Sequence, residues 1–158
     1  MSYHLKLKSA IEDACKDIPK IHPYKYKQIK LNCATRNCDC VLKYEPDSCL
    51  AYKPLNHRTE RLIIFEILDR QNEATTIADT VRIILSGNCR KAYFISPNKS
   101  KHAMAKRVLD TVISKFKVLL NVKTKKDVLD AYPILILRKA KKVEITNVLR
   151  AEIKKIVK

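Results

Sequence analysis

Between Leu62 and Leu68 the chain reads "LIIFEIL", apolar at every position except Glu66. Strand alternation places Leu62, Ile64, Glu66 and Leu68 on one face and Ile63, Phe65 and Ile67 on the other. Both faces are apolar, which predicts a strand covered on both sides at the centre of a sheet. Helical periodicity appears in the flanking segments. Leu7, Ile11, Ala14 and Ile18 share one face of a helix over 4–18, stopped by Pro19 and Pro23. Ile77, Ala78, Val81, Ile84 and Leu85 share a face of a second helix, with Gly87 where a left-handed cap is wanted. A third runs over about 100–120 with Val108, Val112, Phe116 and Leu119 inward, and a fourth closes the chain with Leu149, Ile153 and Ile156 on its stripe. The remaining strands are "YKYKQIKLNC" (24–33), "CDCVLKYE" (38–45), "CLAYKPL" (49–55), "KAYFIS" (91–96) and "YPILILR" (132–138). The segment 49–55 reads as a short edge strand ended by Pro54, and "EPDS" before it as a turn.

Early strands joined by short turns predict antiparallel pairing, and later strands separated by helices predict parallel crossovers. The expected fold is α/β, a mixed central β-sheet flanked by helices on both faces. No repeat, low-complexity tract or flexible linker divides the 158 residues, so residues 1–158 read as a single domain.

Composition adds partners and compartment. Thirty-three Lys and Arg against 16 Asp and Glu give a formal net charge of +17. Such a charge attracts polyanions, and nucleic acid is the usual one. The clusters at 123–126 and 138–142 offer Lys123, Lys125, Lys126, Lys139, Lys141 and Lys142 as phosphate contacts, with solvated surface as the plain alternative. Tyr24, Tyr26, Tyr44 and Tyr52 interleave with lysines; packing is the expected role and base stacking the alternative. No apolar run reaches membrane-span length and no signal-peptide stretch opens the chain, so an intracellular, cytoplasmic protein with no membrane partner is expected. Cys33, Cys38, Cys40 and Cys49 cluster, but their spacing is not that of a zinc ribbon; plain thiols rather than zinc are expected. The four histidines read as isolated and solvent-facing. One glycine in the whole chain nearly excludes phosphate-binding Gly-rich loops and dinucleotide fingerprints.

The chemistry centres on Glu66. A carboxylate inside a buried strand needs a base, hydrogen bonds or a metal ion. Arg82 is the candidate base for an ordinary ion pair. Alternatively Asp39, opening the strand at 38–45, converges with Glu66 on one divalent ion; carboxylate oxygens suit magnesium or manganese. Such a site favours phosphodiester hydrolysis.

A helix, strands, an Asp at a strand start, "IIFEILD", a helix and "KAYFISPN" together resemble the restriction-endonuclease-like PD-(D/E)XK nuclease superfamily over residues 4–97. The resemblance implies a restriction-endonuclease-like fold and a magnesium-dependent DNA nuclease, with Asp39 and Glu66 as catalytic metal ligands. It leaves room for a homodimer. A literal Pro-Asp at Pro46-Asp47 makes Asp47 the other candidate acid, and Glu12 matches the acid often carried by the first helix. The motif lysine falls on Leu68, so Lys43, Lys53 and Arg82 are the candidates to replace it. A non-catalytic basic nucleic-acid-binding protein on the same fold is the alternative.

In either case the charge predicts steeply salt-dependent nucleic-acid binding, with a log–log slope of about −0.9 per phosphate neutralised on duplex DNA. A filter-binding series from low to moderate salt checks this. Salt-insensitive binding, or none at low salt, refutes both nucleic-acid readings.

Overall fold

The computed structural model of the chain describes residues 2–31, 42–55, 58–86, 89–119, 134–138 and 142–157. Helix α1 (Tyr3–Cys15) leads to the strands β1 (Ile21–Pro23), β2 (Ile29–Leu31), β3 (Leu42–Tyr44), β4 (Ser48–Tyr52) and β5 (Arg61–Ile67). Then come α2 (Glu73–Leu85), β6 (Cys89–Ser96), α3 (Lys99–Leu119), β7 (Ile134–Arg138) and α4 (Lys142–Val157). Five strands form one mixed sheet in the order β1-β4-β5-β6-β7. The pairs β1/β4 and β4/β5 are antiparallel, and β5/β6 and β6/β7 are parallel. The strand of Glu66 is central, as its two apolar faces require.

Two cores follow from its alternation. Leu62, Ile64 and Leu68 pack with Phe94 against Ile83 of α2 and Val108 and Val112 of α3. Ile63, Phe65 and Ile67 pack with Tyr93 against Leu7 and Ile11 of α1 and Leu149 and Ile153 of α4. The Phe65 and Tyr93 rings stack across the parallel pair at 5.4 Å. Helices therefore cover both faces. Among the described residues no helix is long and apolar enough to cross a membrane.

Three expectations need correction. The segment at 49–55 is not an edge: β4 lies between β1 and β5, and β1 takes the edge. Pro23 within β1 is tolerated there because an edge strand leaves one side unpaired. The strand expected at 38–45 does not pair with the Glu66 strand; its described part, β3, pairs with β2 in a separate two-stranded ribbon. The buried face of α2 is also rotated by about one residue. It comprises Thr76, Asp79, Thr80, Ile83 and Ile84, while Ile77 and Leu85 are 42% and 49% exposed. The threonines can face the sheet because each hydroxyl donates to a carbonyl four residues back, Thr76 to Asn72 and Thr80 to Thr76, both at 2.8 Å. Gly87 lies outside the described residues.

The start of α2 is fixed by a reciprocal cap. The Asn72 side chain accepts from the Thr75 N–H at 2.9 Å, and the Thr75 hydroxyl accepts from the Asn72 N–H at 3.0 Å. Asn72→Ala should cost about 1 kcal/mol. In urea titration the midpoint should fall with an unchanged m-value.

Candidate functional site

Glu66 points from β5 toward the α2 side of the sheet and is only 3% exposed. Its carboxylate accepts a hydrogen bond from the Tyr44 hydroxyl, which the β2–β3 ribbon brings over this end of the sheet. Asp47 arrives from the turn before β4. The register that sets Ser48 opposite Phe65 brings the preceding residue beside Glu66. One oxygen of Asp47 accepts the Ile67 N–H at 2.7 Å, and the other lies 3.4 Å from His4 Nε2 in the first turn of α1. Asp79 comes from the buried face of α2 and holds Arg82 at 3.1 Å.

Three carboxyl groups thus gather at the C-terminal end of β5, and no cation among the described residues pairs with Glu66 directly. Burial, then the charges of Asp47 and Asp79, push the Glu66 carboxyl up to about 10; the Tyr44 hydrogen bond works the other way. Glu66 is therefore protonated at neutral pH and within hydrogen-bond reach of Asp47 and Asp79. Burial also raises the Asp79 carboxyl, against the pull of Arg82. Burial and the neighbouring Glu66 carboxylate hold the Tyr44 hydroxyl far above its ordinary range, so it remains a donor.

The candidates named from sequence are distributed unevenly. Asp39 lies outside the described residues. The Pro46-Asp47 acid lies beside Glu66. Glu12 is exposed two turns along α1 from His4. Lys43 is exposed on β3, and alternation turns it away from the side on which Tyr44 meets Glu66. Lys53 follows the far end of β4. Arg82 pairs with Asp79, not with Glu66 as the ion-pair reading expected. Leu68 is fully buried in the core. Lys142 pairs with Asp13 at 3.0 Å; Lys123, Lys125, Lys126, Lys139 and Lys141 lie outside the described residues, as do Cys33, Cys38 and Cys40. Cys49 is a free thiol. Tyr44 and Tyr52 are buried, which removes them as base-stacking platforms. His4 and Asp79 were not singled out in the sequence. His4 contacts Asp47 instead of standing isolated, and His22 lies 3.6 Å from Glu60.

The donor set is oxygen only and suits a hard divalent ion. Among the described residues no group of three or more His, Cys, Asp and Glu side chains is arranged as a ready metal site. Magnesium is commonly held by one or two carboxylates plus substrate phosphates, and Asp47 and Glu66 match that smaller requirement. Compared with protein families, curated proteins and solved structures, the chain finds no match in any of the three.

The raised Glu66 carboxyl sets the sign of a pH effect. The unfolded side chain loses its proton above its ordinary value of 4.5, while the folded one keeps it to about 10. This contribution is fully present below the ordinary value and is lost as pH rises toward the folded one, at up to about 1.4 kcal/mol per pH unit. Melts of the metal-free chain should therefore show lower stability at pH 9 than at pH 6. Glu66→Gln should flatten that profile and raise Tm on the alkaline side. A loss of about 3–5 kcal/mol instead would reveal a buried cation left without its partner.

Proposed function

We propose that the chain is a divergent, divalent-metal-dependent nuclease in which Asp47 and Glu66 hold magnesium or manganese. The observation that carries this reading is the contact between Asp47 and a buried Glu66 that has no cation partner among the described residues. Two carboxyl groups pressed together in a core repel one another when ionised. A divalent cation relieves that repulsion, and the carboxyl pair is then an asset instead of a cost. The order α1, β1, β4, β5, α2, β6, with β5 and β6 parallel, supports the resemblance to the restriction-endonuclease-like nucleases. The net charge of +17 supplies attraction for the polyanionic substrate, DNA in the first instance.

The protein's own groups have distinct tasks in this reading. The Ile67 N–H fixes one oxygen of Asp47. Tyr44 orients Glu66 by donating to it. A bound divalent ion would supply Lewis-acid stabilisation of the phosphodiester's developing charge. Leu68 cannot orient a water or neutralise a phosphate, which the motif lysine would do. His4 Nε2, 3.4 Å from the other Asp47 oxygen, helps hold that carboxyl in place.

The second reading is a non-catalytic nucleic-acid-binding protein on the same fold. Leu68 at the lysine position favours it, as does a Glu66 that is neutral without metal.

Cleavage of DNA and RNA with magnesium or manganese separates the two. Asp47→Asn and Glu66→Gln should each lower metal-dependent cleavage by about a hundredfold or more, as loss of a major electrostatic contributor does, with nucleic-acid binding retained. Asp39→Asn separates the two candidate acids, since retained activity assigns the metal to Asp47 and lost activity assigns it to Asp39. A wild-type chain that binds but does not cleave, and whose Tm ignores both metals, assigns the second reading.

A further inference from the structure

A second cluster of chemistry lies at the opposite end of the sheet. Arg61 opens β5 and is five residues from Glu66, which is about 17 Å along a strand. Beside it is a cavity of about 280 Å³ lined by Lys20, Tyr52, Lys53, Arg61 and Arg90, together with apolar residues from the end of β4 and of α4. No Asp or Glu is among its described lining residues.

Four cations around one concavity would be unremarkable if they merely sampled a basic surface. Three local features argue otherwise. First, the backbone is adapted to present them. The β5/β6 register sets Leu62 opposite Cys89 and Ile63 opposite Lys91, so Arg90 is the extra residue of a β-bulge. Bulges re-aim a side chain at the cost of ladder pairing. Lys20 has φ 70°, the only positive φ at a non-glycine among the described residues; a side chain with a Cβ adopts it at a steric cost. Second, hydrogen-bonding capacity is left over. One Arg61 Nη donates to the Cys89 carbonyl at 3.3 Å, and among the described residues no hydrogen bond occupies the other Nη. A guanidinium with donors to spare at a cavity wall can turn them to an acceptor held there. Third, among the described residues no Asp or Glu forms an ion pair with Lys20, Lys53, Arg61 or Arg90, so the positive charge around the cavity is uncompensated. The only acid adjacent in sequence to Arg61 is Glu60, and it lies toward His22. Burial raises the Tyr52 hydroxyl above its ordinary range, and the charges of Arg90 and Arg61 beside it work the other way.

We propose that this cavity binds a phosphate group. The guanidinium forks of Arg61 and Arg90 suit the oxygens of a phosphate, and two lysines add charge without demanding direction. The volume is slightly below that of pockets for drug-sized ligands, about 300–1,000 Å³, so it holds the phosphate end of a ligand more readily than a whole nucleotide. The phosphate arrives either on a nucleic-acid strand or on a small phosphorylated molecule. This site does not depend on the nuclease reading, since it uses none of the residues around Glu66.

The test titrates inorganic phosphate into the full-length chain at constant ionic strength, with chloride as the compensating ion, by calorimetry. One saturable site is expected. Arg90→Gln should weaken it by about tenfold or more, the consequence of losing one charge-assisted hydrogen bond. Lys106→Gln, exposed on α3 away from the cavity, should change it by less than about twofold. Lys53→Gln gives a second exposed cavity variant should Arg90→Gln fail to fold, and it should also weaken binding more than Lys106→Gln. Competition then identifies the source. Displacement of phosphate by a 5′-phosphorylated but not a 5′-hydroxyl oligonucleotide assigns a strand end, displacement by both assigns a strand backbone, and displacement by neither assigns a small phosphorylated molecule. Each of these supports a phosphate site. Absence of saturable binding, or equal losses for the cavity variants and Lys106→Gln, overturns it.

Discussion

The contact between the Asp47 and Glu66 carboxyl groups is the constraint around which one end of the molecule is arranged. Desolvation alone already disfavours a charge on Glu66, and Asp47 and Asp79 add to it. The fold answers with a donor on one side, the Tyr44 hydroxyl, and with neutralisation of the carboxyl itself. Asp47 is compensated differently, by a backbone N–H and by His4. Asp79 has Arg82. Among the three, Glu66 has a neutral donor, Tyr44, and its own proton, with no cation beside it among the described residues. Replacing that proton by a divalent ion would change the balance of all three groups at once, which is why metal, pH and substitution at Glu66 should act on the same quantity.

How much of this was legible in the sequence depended on whether the signal was local. The central strand was legible because apolar residues on both faces of "LIIFEIL" permit few other positions. Glu66 stood out because it broke that run. Its partner acid was harder to place. Asp39 leads directly into a strand-like segment, and Asp47 lies in a turn; by local pattern the former looked better. Strand pairing puts Asp47 beside Glu66, and pairing is not local. The described part of the 38–45 segment joins β2, whereas the strand after Asp47 joins β5. The three residues of β1 were hidden because Ile21-His22-Pro23 is too short for alternation, and its proline signals a stop before it signals an edge.

The helical residues of the site were less legible still. His4 occupies the first turn of α1 on no recognisable motif, and only the docking of α1 against the sheet brings it to Asp47. The apolar count favours Ile77 and Leu85 for the core, and Asp79 between them carries no signal of its own. Thr76 and Thr80 reversed that choice. A threonine that satisfies its hydroxyl within its own helix behaves as a small β-branched apolar residue toward the sheet. Hydrophobicity alone therefore rotates the helix by about one residue and gives no sign of the acid on its buried face.

The two ends of β5 are chemically opposed, and the strand order accounts for both. At its C-terminal end β5 and its parallel neighbour β6 stop together, leaving the turn before β4 and the start of α1 to close over the gap. Open sheets place ligand chemistry outside the carboxyl ends of parallel strands, and the acids gather there. At the other end β5 begins where β4 finishes, and the bulge beside Leu62 turns Arg90 out of the ladder. That end collects cations without acids. The acids thus gather at one end of β5, while the mouth at Arg61 is lined by cations with no acid among the described lining residues. A polyanion meeting this surface is drawn to the second end by charge alone, and approaches the first only if something positive compensates the acids.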